Sequence, residues 1–161
     1  KNFGPLEAIV ISSITYVILM LLWTASTRSE VLQKANDIKS NHKLVVDFIN
    51  KEVNICSSNI EGSTSWGEKC NSVWTSEKIV NYVLSNIELK NPYSTNKPLI
   101  QSSQDPRIQA EGKAGQSTDK GIIFVSSNDF ESEAGSEWVV GTCIKSPCVA
   151  AGNNELISLY R

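Results

Sequence analysis

The chain has 161 residues, 40% of them hydrophobic and 20% charged, with a formal net charge of −2. That length is enough for one domain with a real core plus an appendage. The balanced charge and the lack of a Lys/Arg cluster exclude a dedicated nucleic-acid site.

Charge is unevenly spread. None occurs from Ala8 to Ala25, and nearly all of it lies from Arg28 onward. The first element in chain order is therefore "LEAIVISSITYVILMLLWTA" (Leu6–Ala25), which at roughly 20 residues is long enough to cross a bilayer as a helix. A cleaved secretory signal has a basic start, a shorter apolar run and a small-residue cleavage site. This run is longer, so a retained segment is expected. Trp23 suits the aromatic belt at a membrane interface or packing among apolar helices.

The next stretch, "TRSEVLQKANDIKSNHKLVVDFINKEVNIC", has neither Gly nor Pro. Val31, Ala35, Ile38, His42, Val45, Ile49, Val53 and Cys56 recur every three or four residues as one stripe, with lysines and aspartates mostly opposite. One continuous helix is expected from about Pro5 to about Asn54, on the order of 75 Å at 1.5 Å per residue. Pro5 suits its first turn, where a missing N–H costs nothing. The first half is apolar all round and the second is amphipathic, so the second half should lie against a globular domain. His42, the one histidine, reads as a helix residue at that domain's margin and receives no role.

Cys56, Cys70, Cys143 and Cys148 make an even set at short separations, which suggests two disulfides in an oxidising compartment. Zinc is the weaker reading, because there is no CxxC and His42 lies far off. Of the three possible pairings, Cys56–Cys70 and Cys143–Cys148 are favoured because each closes a short loop. Gly62 and Gly67 lie in the first loop and Ser146-Pro147 in the second.

A second helix is expected at "TSEKIVNYVLSNIEL", capped by Thr75 or Ser76 and ended before Pro92. Residues 91–119 read as a long irregular connection, with a short extra strand possible near Leu99–Ile100. Strands are expected at 121–127, 137–145 and 155–161, forming an antiparallel meander. The fold class is α+β: a long N-terminal helix packed on a small antiparallel sheet. The chain divides into an apolar helix at 1–27 and a head at 28–161. The head comprises the amphipathic continuation (28–54), a loop and second helix (55–90), the irregular stretch (91–119) and the sheet (120–161).

Glu7 is the anomaly at the front. A carboxylate at bilayer depth costs roughly 2.5–3.5 kcal/mol on insertion scales, so it calls for a partner. No cation follows before Arg28. The partner is then either Lys1 or an α-amino group, on the same chain or on a neighbouring copy, or else the helix N-terminus itself, whose dipole favours a carboxylate.

"FGPLEAIVISSITYVILMLLW" resembles the opening of type IV pilins, whose mature chains begin with Phe, carry Glu at the fifth place and continue as an apolar helix. Counting from Phe3 puts Glu7 fifth. The resemblance in organisation covers the whole chain, whereas in sequence it covers the first two dozen residues. It implies a structural subunit that polymerises with copies of itself into an extracellular filament for attachment, motility or DNA uptake, drawn from an inner-membrane pool. Its other partners would be the pilus assembly machinery and prepilin peptidase. Lys1, Phe3 and Glu7 would be subunit contacts, and no cofactor is implied.

Two departures stand out. The peptidase of this family requires Gly before its cleavage site, where this chain has Asn2. Cleavage after a Gly upstream of Lys1 is the favoured reading, with different processing as the alternative. The apolar half also lacks the Gly or Pro that many pilins carry there.

Rival readings are a pseudopilin of a type II secretion system and a single-pass anchored extracytoplasmic domain. A pseudopilin often binds calcium in a late acidic loop, for which Asn128, Asp129, Glu131 and Glu133 are weak candidate ligands; a solvated turn is the favoured reading. An anchored enzyme has no support, for there is no nucleophile elbow, HExxH or phosphate-binding glycine loop.

Overall fold

The computed structural model describes residues 4–111, 120–127 and 137–160. Two compact units result, Lys1–Lys34 and Ala35–Arg161. Helix α1 (Pro5–Ser58, 54 residues) contributes to both and runs unbroken, as its lack of internal Gly and Pro demands.

In the second unit the stripe of α1 is the spine of the core. Ile38, Val45 and Ile49 are fully buried and Ala35, Val46, Val53 and Cys56 nearly so. Helix α2 (Ser76–Asn86) starts where Thr75 accepts a hydrogen bond from the Lys78 N–H at 3.2 Å. It adds Ile79, Val80 and Val83 to the same core.

The sheet has four strands in the order β1-β2-β3-β4: β1 (Ile100–Ser102), β2 (Ile123–Ser127), β3 (Glu137–Cys143) and β4 (Asn154–Tyr160). The last three form the expected antiparallel meander, with Val125 opposite Val140 and Val140 opposite Ile157. The sheet as a whole is mixed, because β1 lies parallel to β2 with Ile100 opposite Ile123. This corrects the wholly antiparallel expectation. Ile123, Val125, Trp138, Val140 and Leu159 face the core that includes the α1 stripe.

The short strand expected near Leu99–Ile100 is present as β1, and the described part of 91–119 also contains helix α3 (Pro106–Glu111), which its composition did not suggest. Asp105 caps α3, its Oδ1 accepting from the Arg107 and Ile108 N–H groups at 3.0 and 3.3 Å, and Pro106 takes the first helical position. The short helix covers the sheet face opposite the α1 core. Gly141 permits that approach: a Cβ there would lie 2.7 Å from Leu156, 2.8 Å from the Pro106 carbonyl and 3.0 Å from Ala110. With both faces covered, β2 is buried along its whole length. Gly121 leads into β2 at φ +81°, where a Cβ would strike Asn91 and Tyr93.

Candidate functional site

The first unit is one helical segment with its apolar side chains outward on every side. Leu6 is 76% exposed, Leu19 60% and Trp23 68%, and Ile9 through Leu22 are similarly open. Its best 18-residue window has a mean hydropathy of 2.1 and none of it is buried, so by length and composition this helix can cross a membrane.

Five of the hydroxyl side chains in this stretch turn back onto its own backbone. Ser12, Ser13 and Thr15 donate to the carbonyls of Ile9, Val10 and Ile11 at 2.8–2.9 Å. Thr24 donates to Leu21 and Thr27 to Trp23. Each of these five hydroxyl protons is thereby satisfied without water, as suits a helix in hydrocarbon.

Glu7 sits at the third helical position, and its Oε2 accepts from the Gly4 N–H at 3.0 Å. This is the carboxylate half of a capping box: it occupies an orphan donor at the helix start and stands at the positive end of the dipole. Of the two partners expected for Glu7, the structure displays the helix N-terminus. Lys1 and Phe3 lie outside the described residues. Beyond the apolar stretch the charges begin in order, with Arg28 exposed and Glu30 paired to Lys34 at 2.6 Å across one helical turn. The ammonium of Lys34 holds the Glu30 carboxyl below its ordinary value.

The second unit is stapled by two disulfides, Cys56–Cys70 with Cα atoms 5.1 Å apart and Cys143–Cys148 at 5.3 Å. The first ties the end of α1 to the 61–72 loop. A buried carboxylate reinforces it: Glu52 accepts from the Ser65 N–H at 2.7 Å and from the Ser65 hydroxyl. Glu52 follows Ile49 by three residues, so the helical period places it on the buried face. Sequence reading passed over it because it is charged.

Trp66 from the same loop lies between Tyr82, stacked at 4.8 Å, and Phe48 at 5.5 Å. With neighbours of this kind it anchors the loop. The Tyr82 hydroxyl donates to Glu68 at 2.9 Å, and Lys78 pairs with the same carboxylate at 3.1 Å. The Lys78 and Tyr82 contacts hold the Glu68 carboxyl below its ordinary value, while that carboxylate raises the Tyr82 phenol.

His42 differs from expectation. It is 1% exposed, inside the core rather than at its margin. Its Nε2 lies 3.1 Å from the Val140 carbonyl of β3 and its Nδ1 3.2 Å from Glu155 of β4. The stripe spacing did place it on the buried face; what could not be read was which strands it would meet.

Asn128, Asp129, Glu131 and Glu133, the calcium candidates, lie outside the described residues. Among the described residues no group of three or more His, Cys, Asp or Glu could hold a metal ion. Comparison with protein-family models, with curated proteins and with solved structures gives no match for the chain.

Proposed function

We propose that the chain is a structural subunit of a type IV pilus-like filament, held in the inner membrane by its apolar helix until it is assembled. The observation that carries this reading is the division of a single unbroken helix: Leu6–Trp23 leaves its apolar side chains open, whereas Ala35–Cys56 is the spine of a disulfide-stapled α+β unit. An anchor needs only the apolar part. A helix that also continues as the spine of the head would serve a subunit whose helices become the core of a polymer.

The energetics are coherent. Leaving lipid for a bundle of like helices exchanges one apolar neighbour for another, so association rests on van der Waals packing and on satisfied polar groups. The back-bonded Ser12, Ser13 and Thr15 bring no unmet donor to such a bundle. In this reading the stapled unit stays on the oxidising side of the membrane and forms the outer surface of the filament.

One observation favours the single-pass anchor as a second reading. The Gly4 N–H already gives Glu7 a partner within its own chain, so Glu7 does not require a neighbouring copy. Mass spectrometry of material sheared from the cell surface and pelleted as filaments separates the two readings. The filament reading expects this chain in the pellet, with a processed and methylated N-terminal peptide. Recovery only in the membrane fraction, unprocessed, would leave the anchor.

A further inference from the structure

His42 is the only histidine in the chain, and it is buried where three elements meet. Its ring bridges α1 to the last two strands of the sheet, β3 and the edge strand β4, with Nε2 3.1 Å from the Val140 carbonyl and Nδ1 3.2 Å from Glu155 Oε2. Glu155 is half-buried, and its other oxygen lies 3.7 Å from Lys39, one turn back on α1.

Both ring nitrogens therefore face acceptors. A carbonyl cannot donate, and neither can an ionised carboxylate. A neutral imidazole carries one N–H and can serve only one of the two; an imidazolium serves both, but places a charge in the core. We propose that His42, Val140 and Glu155 form a proton-sensitive clamp between α1 and the β3–β4 pair, whose buried neutral ring makes the fold less stable on acidification.

Burial pushes His42 below the ordinary histidine value, and this outweighs the Val140 carbonyl and the Glu155 carboxylate, which pull upward. No other charged side chain among the described residues bears on the ring. α1 contributes Lys39, which reaches the far oxygen of Glu155, and β3 presents only backbone. The sign follows from linkage. The unfolded chain takes up its proton near pH 6.5, and the folded chain does so at lower pH. From about pH 6.5 downward the unfolded state binds more protons, so stability falls until the folded midpoint is passed and then levels off.

The clamp lies within the 35–161 unit and does not depend on filament formation. The test uses the full chain in detergent micelles with isotope-labelled histidine, since its single imidazole gives one unambiguous NMR signal. The expected result is a titration midpoint below about 6.5, with a urea midpoint that drops between pH 7 and pH 5. In His42→Gln that drop should be at least halved. A histidine titrating at or above the ordinary value, or an identical drop in His42→Gln, would overturn the proposal. Glu155→Gln covers the case in which His42→Gln does not fold: it keeps the ring but removes the carboxylate that favours its charged form. The histidine midpoint should then move further down, and an unmoved midpoint would also overturn the clamp.

Discussion

The two stretches of α1 share a backbone but not an environment. Ile38, Val45 and Ile49 are fully buried, while Ile9, Leu19 and Leu22 are more than half exposed. The same residue types thus do opposite things. In the second stretch each buried aliphatic side chain contributes to folding, on the order of 1.5–3 kcal/mol on removal from water. In the first stretch the apolar surface contributes nothing to the fold and is available to lipid or to like helices. The period of the pattern carries the distinction: a stripe marks a helix with one partner, and an all-round apolar surface marks a helix that needs an apolar environment on every side.

Substitutions can break this comparison. The largest effect on stability is expected from Ile49→Ala, which should lower unfolding free energy by about 2–5 kcal/mol. Leu19→Ala should change it by no more than about 0.5 kcal/mol. Urea unfolding of both variants in the same detergent tests the pair, and equal losses would erase the distinction. A complementary contrast comes from Val17→Arg, which should cost about 2.5–3.5 kcal/mol of membrane insertion. The head should remain folded, so fractionation should show less membrane-bound chain while circular dichroism of the recovered protein keeps its unfolding transition.

A smaller effect sharpens the account of the second stretch. Glu52→Ala removes the acceptor for the Ser65 N–H and hydroxyl and should cost about 1–3 kcal/mol. Faster exchange of the 61–72 amides should accompany it, and protected amides there would mean that the disulfide alone holds the loop. The smallest effect belongs to Glu7→Gln. Gln can still accept from Gly4, so only the dipole attraction is lost, about 0.3–1 kcal/mol. A large loss of helicity at the N-terminus by hydrogen exchange would give Glu7 a greater part in holding the helix than the cap accounts for.

Much of this contrast was legible before the structure. The course of α1 followed from its uninterrupted period and its lack of breakers, and the meander from three β-rich runs set apart by turn-rich stretches. β1 was legible only as a short strand near Leu99–Ile100, without its parallel pairing, and α3 was not legible at all. A three-residue strand cannot display an alternation, and the parallel pairing of Ile100 with Ile123 is fixed by the core that α1 and α2 supply. α3 is only six residues long, so its signal is Asp105-Pro106 at its start rather than any period. Its presence also explains why β2 is buried throughout, where a sheet with one open face would have alternated. At the front of the chain, the sequence posed the question of what neutralises Glu7 but left two answers. That the third helical carboxylate reaches back to Gly4 is a matter of backbone geometry.

The central claim is that the apolar stretch of α1 meets other copies of itself in an assembled filament. A photo-crosslinking residue at Val17, activated in intact cells, tests this most directly. The account predicts a ladder of multimers of this chain in the sheared fraction, with adducts mapping to Leu6–Trp23 of neighbouring copies. Adducts to lipid alone, in chain that never leaves the membrane, would contradict it.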